Sequence, residues 1–65
     1  MLTIKTIGQV LKEKRTSLGL DLSEAEQLTQ VQKLYIVALE TDDYKALPGD
    51  FYIKAYLKQY AEKLG

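Results

Sequence analysis

Leu47-Pro48-Gly49-Asp50 is the stretch that most restricts what this chain can fold into. Proline has no amide hydrogen and its ring clashes with the preceding turn, so no helix can run through residue 48. Asp50, just beyond, is a good N-cap, because its carboxylate can accept an orphan amide of a following helix. A helix from about Phe51 to Leu64 is therefore expected, cut off from everything upstream.

Three more helices are expected before that break. Thr6-Ile7-Gly8-Gln9 has the form of a capping box, and Ile7, Val10, Leu11 and Leu18 then recur at helical spacing. Gly19 supplies a left-handed stop. Asp21-Leu22-Ser23-Glu24 is a second capping signal, opening a short helix with Leu22, Ala25 and Leu28 on one face. Thr29 and Gln30 interrupt it, and Val31 returns to the core. A third helix runs from Gln32 to about Glu40, with Tyr35, Ile36 and Leu39 inward and Leu34 and Val37 outward. Asp42-Asp43 ends it and reads as solvated charge, while Tyr44 and Leu47 anchor a polar connection.

The spacing predicts helices near 6–18, 22–29, 32–41 and 50–64. No sustained alternation and no Asn-Gly or Asp-Gly turn signals a strand. The class is all-α, a compact four-helix domain. Residues 21–41 match the bihelical unit of a helix-turn-helix, and residues 1–65 form one domain. A core this small supplies only ~3–5 kcal/mol of net stability.

Composition narrows the chemistry. The chain has no cysteine and no histidine, which removes disulfides, thiol and imidazole catalysis and almost any zinc or haem site. Ser17 and Ser23 have no histidine to activate them, and Gly8, Gly19, Gly49 and Gly65 are too scattered to cradle a phosphate. Asp42 and Asp43 lack the ligand spacing of a calcium loop. No enzymatic activity, metal or cofactor is expected. No run approaches the ~18–20 apolar residues of a membrane span.

Acids and bases cancel overall but are segregated. Residues 1–20 carry a balance of +3, residues 21–43 a balance of −5 and residues 44–65 a balance of +2. A helix-turn-helix raises the possibility of a sequence-specific DNA-binding regulator, reading base edges through Gln32 and Lys33 at the start of the third helix. Leu34 and Val37 offer no hydrogen bond there, and phosphate binding needs cations where the bihelical unit is acidic. Nucleic-acid binding is therefore expected to be weak, and the apolar third helix is a candidate protein contact.

At 100° per residue, Ile53, Leu57, Tyr60, Ala61 and Leu64 share the core-facing stripe of the fourth helix. Tyr60 points inward, its hydroxyl reaching the core edge. Tyr52 and Tyr56 lie to one side, on the flank that carries Gln59 and Lys63, and Lys54 and Lys58 lie on the opposite flank. Two readings of the tyrosine pair stand at this point. The rings either cover the core edge, or form a paired aromatic anchor for a partner.

The order of these features resembles the cytoplasmic domain of the RodZ family of bacterial cell-shape proteins. The resemblance is carried by Ile7-Gly8, Leu18-Gly19-Leu20 and Ala38-Leu39-Glu40. Most of all it is carried by Ala46-Leu47-Pro48-Gly49 followed by Tyr52, Tyr56-Leu57 and Tyr60-Ala61. It covers residues 6–64. It implies a λ-repressor-like (XRE-type) fold of four helices, up to five in the family, at the cytoplasmic face of the cell membrane. That domain would be the N-terminal cytoplasmic part of a longer single-pass membrane protein. The implied activity is non-catalytic: the fourth helix docks on the actin-like filament protein MreB and links it to the membrane and the wall-synthesis machinery. Carried over by position, the contacting aromatics are Tyr52 and Tyr56, with Lys54, Lys58 and Lys63 steering an acidic partner surface. Glu26 and Gln30 stand where that family commonly has alanine and glycine, and Ala55 replaces a frequent glycine.

Overall fold

The computed structural model describes residues 5–47 and 49–65, with the backbone alone for residues 50–52. Among the described residues four helices, α1 (Ile7–Ser17), α2 (Leu22–Thr29), α3 (Lys33–Glu40) and α4 (Asp50–Leu64), follow one another, with one 3-10 turn at Tyr44–Ala46 between the last two. No strand occurs among the described residues.

Both capping boxes form. Thr6 Oγ1 accepts the Gln9 amide at 3.2 Å while Gln9 Oε1 accepts the Thr6 amide at 3.0 Å. Asp21 and Glu24 make the same reciprocal pair at 2.7 and 3.0 Å. After α1, Gly19 takes φ +74°. The amides of Gly19 and Leu20 then fold back onto the carbonyls of Thr16 and Arg15, which satisfies two orphan acceptors. α2 ends on Gln30 at φ 64°, the left-handed conformation that glycine adopts without strain. α3 has no side-chain cap from its own N-cap, Gln32. Glu26 reaches across the turn instead and accepts the Lys33 amide at 2.7 Å. The larger residue at 26 is thus a cap for the next helix. α4 begins at Asp50 with Gly49 as N-cap, one residue earlier than expected, and the Asp50 side chain and Pro48 lie outside the described residues.

The core is built of Leu11, Ala25, Val31, Ile36, Ala38, Leu39, Leu47, Tyr60 and Leu64. Val31, Ile36, Leu39 and Leu47 are buried as expected, and Leu34 and Val37 face solvent. Several apolar residues expected inward are not. Ile7, Val10 and Leu18 are 60, 52 and 47% exposed, and the buried face of α1 is Gly8, Leu11 and Arg15. Backbone proximity sets this face. A Cβ on Gly8 would lie 2.5 Å from the Leu39 carbonyl oxygen and 2.7 Å from that of Glu40, so α1 meets α3 at the one position without a side chain. Leu28 is exposed as well, leaving Ala25 and Thr29 as the buried face of α2. On α4, Tyr60 and Leu64 are buried, Ile53 and Leu57 are half-buried, and Ala61 is exposed.

Asp42 is not a solvated charge. It sits at φ 57° beyond α3 and turns its carboxylate onto the start of α1. There it accepts the Thr6 hydroxyl at 2.5 Å and the Gly8 amide at 3.1 Å, placing an anion where the helix dipole favours one.

Candidate partner-binding surface on the fourth helix

What fixes α4 also fixes its outward face. Tyr60 is fully buried, so its hydroxyl does not stop at the core edge as expected. It donates to Glu40 Oε2 at 2.6 Å. The same carboxylate is held in a fork by Arg15, from Nε at 2.7 Å and from Nη2 at 3.0 Å, and Arg15 Nη1 donates to the Leu20 carbonyl at 2.9 Å. Arg15 and Glu40 are 8 and 6% exposed, so a charged pair spans the interior from α1 to α3 and takes α4 as its third member. Every buried polar side-chain atom among the described residues has a partner, which is the condition for such a network to be tolerated. The guanidinium is driven above its usual range, chiefly by its hydrogen bond to Glu40. Burial, then the Glu40 bond, holds the Tyr60 hydroxyl protonated far above the ordinary tyrosine range.

A second bolt lies on the flank. Gln59 donates its carboxamide to the Thr29 carbonyl at 2.8 Å, satisfying the end of α2. One turn earlier, Tyr56 lays its ring against Tyr35 of α3, with centroids 5.1 Å apart and planes at 43°. Tyr56 is half-buried and packs on the rim of the core, to one side of the buried stripe, where the helix projection puts it. Tyr35 is half-buried rather than inward. Nothing near either residue in sequence announces their pairing, since they lie on different helices.

Of the residues singled out from sequence, Lys54, Lys58 and Lys63 are all exposed. Lys63 follows Tyr56 by seven residues and shares its flank, while Lys54 and Lys58 occupy the other side of α4. Tyr52 is in α4, but its side chain lies outside the described residues. Gln32 and Lys33 are exposed at the start of α3. The Glu26 carboxylate occupies the end of that helix, where a phosphate would otherwise be drawn. Burial of the Arg15–Glu40 pair also removes one charge from each side of the segregation, leaving +2 on residues 5–20 and −4 on residues 21–43 in contact with solvent.

No described helix is long and apolar enough to cross a membrane. No solved structure gives a significant match to the chain. A family model described as a helix-turn-helix domain matches residues 10–65. The chain is 44% identical to a protein of Streptococcus pneumoniae named cytoskeleton protein RodZ, over 88% of the chain and 21% of that protein. It is also 44% identical to a Bacillus subtilis protein described as an uncharacterized membrane protein, YmfM, over 71% of the chain and 16% of that protein. It thus spans about a fifth or less of the length of these relatives. Fold and family model agree: the chain belongs to the helix-turn-helix domain family, and its sequence is similar to the RodZ-like domain found in the relative above.

Proposed function

We propose that this chain is a non-catalytic adaptor domain that binds the actin-like filament protein MreB through α4. Tyr52 and Tyr56 are the anchors, and Lys54, Lys58 and Lys63 steer an acidic partner surface. In this reading the domain is the N-terminal cytoplasmic part of a single-pass membrane protein and couples the filament to the membrane and wall synthesis. The observation that carries it is Tyr56, held half-exposed on a lysine-bearing helix of a chain 44% identical to a cytoskeleton protein. Tyrosines in such positions are frequent energetic centres of interfaces. Charges on both flanks of α4 act over the ~8–10 Å that salt leaves unscreened.

The competing reading, a sequence-specific DNA-binding regulator, is opposed by the same surfaces. Leu34 is 67% exposed where a base-reading residue would stand, and Glu26 closes the end of α3. The deciding measurement is co-sedimentation with MreB filaments beside circular-dichroism melting. The Tyr52→Ala/Tyr56→Ala variant should remain helical and lose ≥ ~2 kcal/mol of binding. A folded double variant that still pellets with filaments refutes the assignment. So does a nanomolar duplex complex in which single base changes cost ~1–3 kcal/mol.

A further inference from the structure

Tyr35 and Tyr56 occupy an unusual place in so small a fold. Their tilted contact, 5.1 Å between centroids, is an arrangement that aromatic quadrupoles favour. Neither ring fills the centre of the core, which Ile36, Leu39 and Tyr60 occupy without exposure. Both are half-buried and pack against it at its rim. Beside them the Gln59–Thr29 bond fastens the same flank of α4 to α2. The flank carrying Tyr56 is therefore tied at two points to the helix-turn-helix, once through each of its helices.

We propose that Tyr35 belongs to the partner surface as a positioning residue, holding the Tyr56 ring at the pitch in which it meets an actin-like filament subunit. This rests on the filament contact assigned to α4 above. A tyrosine on the flank of a lone helix samples several rotamers, and binding must then remove that freedom at the expense of affinity. A ring already backed by a second ring loses it on folding instead. The docking surface is then an edge shared by α3 and α4, and a peptide of residues 50–64 alone presents it poorly.

The test is a double-mutant cycle on the 65-residue chain, read as filament binding beside melting curves. Tyr35→Leu keeps apolar bulk without a ring and should weaken binding about five-fold or more, whereas Tyr35→Phe should stay within about two-fold of the parent. Tyr35→Leu/Tyr56→Ala should bind no worse than Tyr56→Ala alone, because the first residue acts through the second. A folded Tyr35→Leu variant that binds like the parent overturns the proposal, and so do losses that multiply in the double variant. The parent chain supplies a check that needs no variant. Its Tyr56 χ1 couplings should report one rotamer in the free domain, and averaging over rotamers overturns the positioning role. If the parent itself does not bind filaments, the α4 reading fails and this inference with it. If the parent binds and Tyr35→Leu is without effect, only the role of Tyr35 is lost.

Discussion

Tyr60 of α4 donates its hydroxyl to Glu40 of α3 across 2.6 Å in the interior of the domain. The acceptor oxygen, Oε2, is the same atom that receives Arg15 Nε. Three helices therefore meet on one carboxylate, and α4 is held by a polar contact as well as by apolar packing.

Removing only that hydroxyl should be costly. Tyr60→Phe keeps the ring but takes one donor from a buried carboxylate, an expected loss of ~1.5–3 kcal/mol. Tyr60→Ala also opens a cavity, and at ~3–5 kcal/mol it approaches the whole stability of a domain this size. Urea unfolding followed by circular dichroism measures both, and a Tyr60→Phe variant as stable as the parent refutes the energetic role of the bond.

The buried pair should behave non-additively. Glu40→Met alone strands the Arg15 charge in the interior and should cost ~3–5 kcal/mol. The triple variant Arg15→Met/Glu40→Met/Tyr60→Phe removes the three interacting side-chain groups together and leaves only the part-buried Leu20 carbonyl without its Arg15 donor. It should be more stable than Glu40→Met despite two additional substitutions. Equal or lower stability of the triple variant would mean that the network is a net source of stability.

Alkali should unfold the domain through its tyrosines. The Tyr60 hydroxyl is raised by burial and then by Glu40, and that of Tyr44 is raised by burial and then by Asp42. A raised folded-state pKa means that the unfolded chain gives up the proton first. This stability is fully present below the unfolded value of about 10 and is lost as pH rises through the folded value. Melting temperature should thus be level up to about pH 9 and fall above about pH 10. Tyr60→Phe should flatten the decline, and an unchanged slope in that variant removes Tyr60 as its source.

Gln30 is a site where substitution should stabilise. Its φ of 64° costs an L-residue about 1–2 kcal/mol, partly offset by the greater freedom of glycine in the unfolded chain. Gln30→Gly should therefore gain up to ~1 kcal/mol in chemical denaturation. Destabilisation would show that the Gln30 side chain contributes a contact outweighing its backbone strain.

Much of this fold is legible in the sequence because its signals are local. The capping boxes at Thr6 and Asp21, the reversal at Gly19 and the break after Leu47 each depend on residues within a few positions, and each decides a helix end. What escapes is set by distant neighbours. The buried face of α1 follows from how closely Gly8 approaches the α3 carbonyls, and an apolar pattern is silent about a residue without a side chain. Arg15 and Glu40 count in the sequence only toward the charge balance of their own segments, because their partnership spans 25 positions. Asp42 reads as solvent-facing for the same reason, its partners lying 34 and 36 residues away. In the candidate site, the lysines and the flank of Tyr56 were legible from helical projection, while the Tyr35 ring beside it was not.

The Arg15–Glu40–Tyr60 junction also orders events during synthesis. α1 and α2 carry local caps and α3 takes its cap from Glu26 of α2, so all that caps these three helices precedes α4 in the chain. The Arg15–Glu40 pair cannot be enclosed until Tyr60 arrives, 20 residues after Glu40. Until then a nascent three-helix piece holds a charged pair with one side open to water, together with an uncovered apolar face of α3. Completion of the domain is therefore expected only when the last turn of α4 has emerged, making it an all-or-none unit in translation.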